Sequence, residues 1–353
     1  MVAVPEQLPR PAASRILRST GRTGAALVGS LVIFALVIVI LGANPFTAFR
    51  SIYEGSLGNK FNFGQTVMIT SLLALTGLAA AIPFSARLFN VGGEGQLYFG
   101  AVVAAGSALT LPDTTPHAVF VAVVVALSVL GGALWAAVPG VLKATVNANE
   151  VITSLMMTFI AILAANYAIT VVWPQGAVPQ TENVPTPATM GNIWEGTLVT
   201  SGVIFAAAAV LIAWVIMART TLGFEIRAAG LNRNAARMSG VHIGLVTVVS
   251  FALGGAFAGL AGAISVLGIN GALVTGFSGS FGYLGIAVAL VARLQPAWII
   301  PSAFLFAALR VGSNGLQVDT GLSPAVGEAL VATLVLLLLA FRVIRLSYAE
   351  AAE

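Results

Sequence analysis

Asn90, Glu94 and Gln96 fall within the run FNVGGEGQ at 89–96, between two strongly apolar stretches. Amides and a carboxylate at this spacing can hold a small polar solute by hydrogen bonds. No second carboxylate, nucleophile or metal-ligand pattern accompanies them to make a catalytic constellation. The three glycines of 92–95 disfavour a regular helix. Polar groups are costly in lipid unless paired or facing a cavity, and irregular backbone survives at membrane depth only under protein or water. The segment therefore reads as a broken helix or re-entrant element lining a pathway; a cytoplasmic turn beside Arg87 is the competing reading. A second polar stretch, NGALVTGFSGSFGY at 270–283, offers Asn270, Thr275, Ser278 and Ser280 either to the same ligand or to an outer loop.

A third stretch suits docking rather than solute binding. Residues 220–240, TTLGFEIRAAGLNRNAARMSG, form the longest polar interruption between apolar runs, and hold Arg227, Arg233 and Arg237 against Glu225 alone. A basic, alanine-rich, helix-forming loop between membrane spans reads as a cytoplasmic surface that a soluble partner grips; a plain excess of inner positive charge is the alternative. Asn149 and Glu150 read first as a helix N-terminus, a capping side chain followed by a carboxylate that suits the dipole. A place near the coupling surface or the inner mouth of the pathway is the other reading.

The elements that must position these groups follow from composition. The 353 residues are 58% hydrophobic and 8% charged, against about 25% charged in soluble domains. Continuous apolar runs, rather than short alternating ones, exclude a membrane β-barrel and give an all-α polytopic membrane protein. With a span needing roughly 20 apolar residues, the runs fall at 24–42, 65–83, 95–111, 117–142, 151–173, 198–217, 244–268, 278–294, 296–312 and 325–342. These ten spans sit in a transmembrane domain at 24–346, with cytoplasmic tails at 1–23 and 347–353 and the basic cytoplasmic loop at 218–243. The spans at 278–294 and 296–312 are short, and half-spans are the alternative.

Charge orients them. With the N-terminus inside, 13 of the 16 basic residues fall on the cytoplasmic side (Arg10, Arg15, Arg18, Arg22, Arg87, Lys143, Arg219, Arg227, Arg233, Arg237, Arg293, Arg342 and Arg345). Arg50, Lys60 and Arg310 are left outside. This supports an N-in, C-in topology. A repeat of five spans would be inverted, a plan in which broken helices meet at mid-membrane. Gly255 and Gly259 form a GxxxG, and Ala258 to Gly262 continues the small-residue face for close helix packing. The outer segment 174–196, with four prolines between Trp173 and Trp194, is a stiff loop: either a connector or a cap for a delivery protein.

Other chemistries find no support in the sequence. No GxxxxGK(S/T) is present, nor HExxH, GxSxG or paired catalytic carboxylates. There is no cysteine, and His117 and His242 are far apart in sequence, so no metal, disulfide or cofactor is expected. The basic residues cluster at span ends, which membrane orientation explains without nucleic acid. Among the intramembrane acids only Glu94, Glu150 and Glu328 are candidates, and each lies near a span end. Energy for active transport is expected from outside the chain, although an ion-coupled secondary carrier is the rival.

Three segments together, AAAIPFSARLFNVGGEGQLYFGA (79–101), NEVITSLMMTFIA (149–161) and LGFEIRAAGLNRNAARMSGV (222–241), resemble the membrane permeases of bacterial ABC importers. The likeness is to the branched-chain amino acid/ribose-type family, and within it to the nucleoside and simple-sugar group, and covers residues 65 to 340. It implies a permease of the bacterial cell (inner) membrane, not itself an enzyme. The implied partners are a cytoplasmic ABC ATPase, a second related permease, an extracytoplasmic substrate-binding protein and membrane lipid. It further implies that Glu225, Arg227, Ala228, Ala229, Gly230, Asn232, Ala235, Ala236 and Gly240 belong to the helix that couples to the ATPase, small residues there allowing close approach. Asn90, Glu94 and Gln96 would lie by the translocation path, and Asn270 and Ser278 complete the expected set.

Overall fold

The computed structural model describes residues 28–333 except 30, 324, 328, 330 and 331. The two expected tails, most of the span at 325–342, Glu328, Arg342 and Arg345 lie outside the described residues. The chain divides into two compact units, one of residues 56–311 and one combining 1–55 with 312–353.

The larger unit carries the polar segments. Its helices are α3 (Lys60–Ser85), α4 (Gly93–Thr110), α5 (His117–Val146), α6 (Glu150–Tyr167), α7 (Gly202–Arg219), α8 (Thr221–Leu231), α9 (Arg233–Met238), α10 (Ile243–Ile264), α11 (Phe281–Val291) and the first part of α12 (Pro296–Thr320). π-turns extend α6 through Ala168–Val172 and α10 through Ser265–Asn270. α3 starts where the Asn59 side chain accepts from the Asn62 N–H at 2.8 Å. It is apolar on every face and buried between α10, α11 and α7, as such a helix must be. α10 crosses α5 and α4 with the small face that the sequence displays. A Cβ on Gly255 would strike the backbone of Gly132, and one on Gly259 that of Ser128. The Ser128 hydroxyl bridges the crossing, donating to Gly100 O at 2.5 Å and facing Gly259 O at 3.1 Å.

Six described helices are long and apolar enough to cross a membrane, and the bent pair α1 (Leu31–Ile40) and α2 (Pro45–Leu57) makes a seventh if read as one broken span. This is an all-α polytopic membrane protein. Residues 45–57, read from sequence as part of an outer segment, are helical, turned 116° from α1. In that smaller unit Phe34 and Phe49 meet edge-on at 5.5 Å, and Gly55 lies against the backbone of Gly312. α12 is long enough to cross, whereas α11 has 11 residues, about 16 Å of rise and half of a roughly 30 Å hydrocarbon core.

The 174–196 segment, expected to be an outer loop, is more ordered than a stiff connector. Its strands Pro174–Gln175 and Val178–Thr181 form an antiparallel hairpin. The loop is then stitched to the 270–283 stretch: Thr181 N–H donates to Leu273 O at 2.9 Å, Val184 N–H to Gly271 O at 2.8 Å and Thr275 N–H to Pro179 O at 3.0 Å.

Candidate functional site

The helices α4 and α11 meet at their first turns. α4 packs on α5, α6 and α10 far more than on its predecessor α3, while α11 packs on α3. Their N-termini therefore converge: a Cβ on Gly282 would strike the backbone of Glu94, and one on Gly93 would lie 3.6 Å from Gly282 O. Glu94, 3% exposed, is set into this contact. Its Oε2 accepts the Gly282 N–H at 2.6 Å, with the Ser278 hydroxyl and the Ser280 N–H also bonding to the carboxylate. A carboxylate at the amino end of α11 complements the exposed N–H groups and the positive dipole end. Arg310 of α12 supplies the opposite charge; its guanidinium lies 5.1 Å from the Phe281 ring centroid and against Gly279. Arg310, counted from sequence as an outer orientation charge, is thus a partner of this interior junction. Buried polar groups stay put only when satisfied, and this set is satisfied from three elements.

The chain reaches Glu94 through a pinned connection. α3 ends in a Schellman motif: Leu88 N–H donates to Pro83 O and Arg87 N–H to Phe84 O, both at 3.0 Å, with Arg87 left-handed at φ 54°. Asn90 and Gln96, both 1% exposed, then bond each other through both amides, at 2.9 and 3.1 Å. Asn90 also donates to Ala79 O at 3.2 Å and accepts the Gly92 N–H at 3.0 Å. Val91 N–H reaches the Ser154 hydroxyl of α6 at 3.3 Å. At the neighbouring turn Asn149 caps α6 as its sequence predicts, accepting from Val151 and Ile152 N–H at 3.0 and 3.3 Å. Glu150 pairs with Lys143 at 3.0 Å.

The 220–240 loop is two helices hinged at Asn232, whose extended backbone ends α8 and whose side chain caps α9 through Asn234 and Ala235 N–H, both at 3.0 Å. Thr220 caps α8 through Gly223 N–H at 3.2 Å. The loop has two faces. Gly223, Ile226, Ala229, Gly230 and Ala236 are buried against the protein itself, and Gly230 abuts Ser85 and Ala86 at the end of α3. The outer face carries Phe224, Leu231 and Met238, 62, 79 and 84% exposed, with Arg227, Arg233 and Arg237 exposed beside them.

The polar groups singled out from sequence thus sort into separate places. Glu94 and Ser278 come together, and Asn90 and Gln96 staple the approach to them. Asn270 is not part of that cluster: its amide bonds Ser265 O and Oγ, both at 3.1 Å, next to the 174–196 loop. Of the expected coupling residues, Arg227, Asn232, Ala235 and Gly240 are exposed and Glu225 and Ala228 half-buried. Ala229, Gly230 and Ala236 face inward, so their small size serves packing within the chain. Sequence reasoning missed the outer apolar stripe, although Phe224, Leu231 and Met238 recur at intervals of seven. It also missed that Ala86-Arg87-Leu88 and Ala292-Arg293-Leu294 repeat. α11 ends in the same cap, with Leu294 N–H on Ala289 O at 2.9 Å and Arg293 at φ 54°.

In this polytopic bundle of apolar helices the 18-residue α4 and the 11-residue α11 meet at their amino ends around a buried carboxylate. Residues 62–340 match the family described as branched-chain amino acid transport system / permease component, and the chain belongs to that family. Among similar proteins, the glucose ABC transporter permease protein TsgB13 of Haloferax volcanii is 30% identical over 89% of this chain and 85% of its own. The guanosine ABC transporter permease protein NupP of Bacillus subtilis is 31% identical over 88 and 90%. The nucleoside ABC transporter permease protein NupB of Lactococcus lactis is 29% identical over 88% of each.

Proposed function

We propose that this chain is the membrane permease of an ATP-driven importer, forming the path for an uncharged polar solute, a nucleoside or a simple sugar. The observation that carries the reading is the outer face of α8 and α9: three large apolar side chains and three arginines exposed on a loop whose other face is anchored. Such a stripe fits an apolar groove rimmed by acids on a soluble partner. The partner is an ABC ATPase, which hydrolyses ATP in place of this chain. Family membership and the relatives' names support both the class and the solutes.

In this reading the chain crosses the inner membrane ten times, N-in and C-in, and pairs with a second, related permease. A binding protein delivers solute at the outer face, where the 174–196 hairpin loop stands. The exchange by which α4 packs on α10 and α11 on α3 supports an inverted five-plus-five repeat. Glu94 and Ser278 hold the meeting point of α4 and α11 on the path, Asn90 and Gln96 position them, and Asn270 stands nearer the outer mouth. ATP-driven closure of the partner moves α8 and α9 and rocks the permeases between outward- and inward-open states.

The test is uptake of labelled guanosine, uridine and glucose into cells, with ATP and the proton gradient varied separately. Uptake that follows ATP and survives a protonophore at constant ATP, with an ATPase co-purifying on the tagged chain, is the expected outcome. Uptake that collapses with the gradient and needs no ATP would replace the reading with an ion-coupled carrier.

A further inference from the structure

The loop's buried face bears on how motion reaches the pathway. Gly230 has no room for a side chain: a Cβ there would strike Ser85 O and lie 3.2 Å from the Ala86 Cα. This is backbone against backbone, with no soft side chain to absorb a displacement, and packed interiors transmit rather than dissipate such shifts. From Ser85 onward the chain has little slack. The Schellman motif fixes Ala86 to Leu88, Asn90 is tied to Ala79 O and Gln96, Gly92 N–H is tied to Asn90, and α4 begins at Gly93. The next residue, Glu94, grips the amino end of α11.

Building on the proposed function, we propose that Gly230 is a positioning residue for transport. Through its contact with Ser85 and Ala86, displacement of α8 is delivered to the 86–92 connection and so to the junction between α4 and α11. The outer face of α8 would receive the ATPase, and the inner face at this glycine would pass the motion on. α8 is then a rigid lever seated on the end of α3, and the moving part is the entry to α4.

The experiment uses the whole complex purified from its membranes and reconstituted with ATP. Gly230→Ala adds one methyl on the buried face and leaves Phe224, Leu231 and Met238 untouched. The expected result is an ATPase that still co-purifies and hydrolyses ATP, while solute uptake falls about tenfold. Uptake and hydrolysis both at wild-type levels would overturn the inference. A second measurement does not depend on how that variant folds. The chain has no cysteine, so spin labels can be placed singly at Arg87→Cys and Ser239→Cys, both exposed positions. ATP should change the spectra of both labels. A response at 239 with silence at 87 shows that motion stops at the docking surface and overturns the link. If ATPase never associates with the wild-type complex, the proposed function itself falls and takes the inference with it, an outcome distinct from either of the others.

Discussion

Glu94 shows how one side chain can be read correctly as important and still be understood only in place. The sequence marks it as an acid too costly for lipid without a partner. The structure supplies those partners: Ser278, the N–H groups of Ser280 and Gly282, and the charge of Arg310. Replacing it with alanine strands these donors in the interior, a loss of about 1–3 kcal/mol. Glu94→Ala should therefore lower the thermal unfolding temperature of the detergent-solubilised chain by several degrees. Glu94→Gln, which keeps an acceptor for Gly282 N–H, should lower it less. Equal melting of the two variants and wild type, followed by differential scanning fluorimetry, would deny the carboxylate its anchoring role. Asn90 and Gln96 were legible as polar groups needing satisfaction, but that they satisfy each other was not, because nothing in a sequence fixes which amides meet.

At the scale of elements, the basic, alanine-rich run at 220–240 is expected to form helix, and two helices, α8 and α9, form there. Which face they bury was not evident, because alanine and glycine suit both a docking surface and an internal contact. The structure assigns Ala229 and Gly230 to the internal face, so Ala229→Glu and Gly230→Glu should damage the chain's own packing and reduce the folded protein in the membrane. Leu231→Glu with Met238→Glu should instead leave a monodisperse chain that no longer retains an ATPase. Size-exclusion profiles and pull-down together separate the two cases, and a normal pull-down with the outer pair replaced would remove the docking face. The small-residue crossing of α10 was plain from GxxxG spacing, and its cost is predictable. Gly259→Leu forces a branched side chain into the backbones of Ser128 and Gly132. An overpacked crossing is expected to cost about 1–3 kcal/mol or more, read as loss of the chain from the membrane fraction on an immunoblot.

For the whole molecule, the absence of cysteine makes orientation directly measurable. Single cysteines at Asp113 and Asn183 should react with a membrane-impermeant maleimide from outside intact cells, and those at Arg87 and Ser239 only after the membrane is opened. Labelling at 239 from outside would invert the proposed topology. By itself the sequence determined the solvent. With 58% hydrophobic and 8% charged residues, the chain can bury its surface only in lipid and its backbone only in helices, and both follow from local composition. It also marked the apolar runs, the basic loop and the family resemblance, since each is written in contiguous residues. Only the tertiary structure decided that the 278–294 run holds a helix of just eleven residues, that Ser278 belongs with Glu94 while Asn270 stays by the 174–196 loop, and that Gly230 rests on Ser85. These are contacts between segments tens to hundreds of residues apart. They are settled by which backbones can approach closely and which buried polar groups find partners, and a linear pattern of residue types specifies neither.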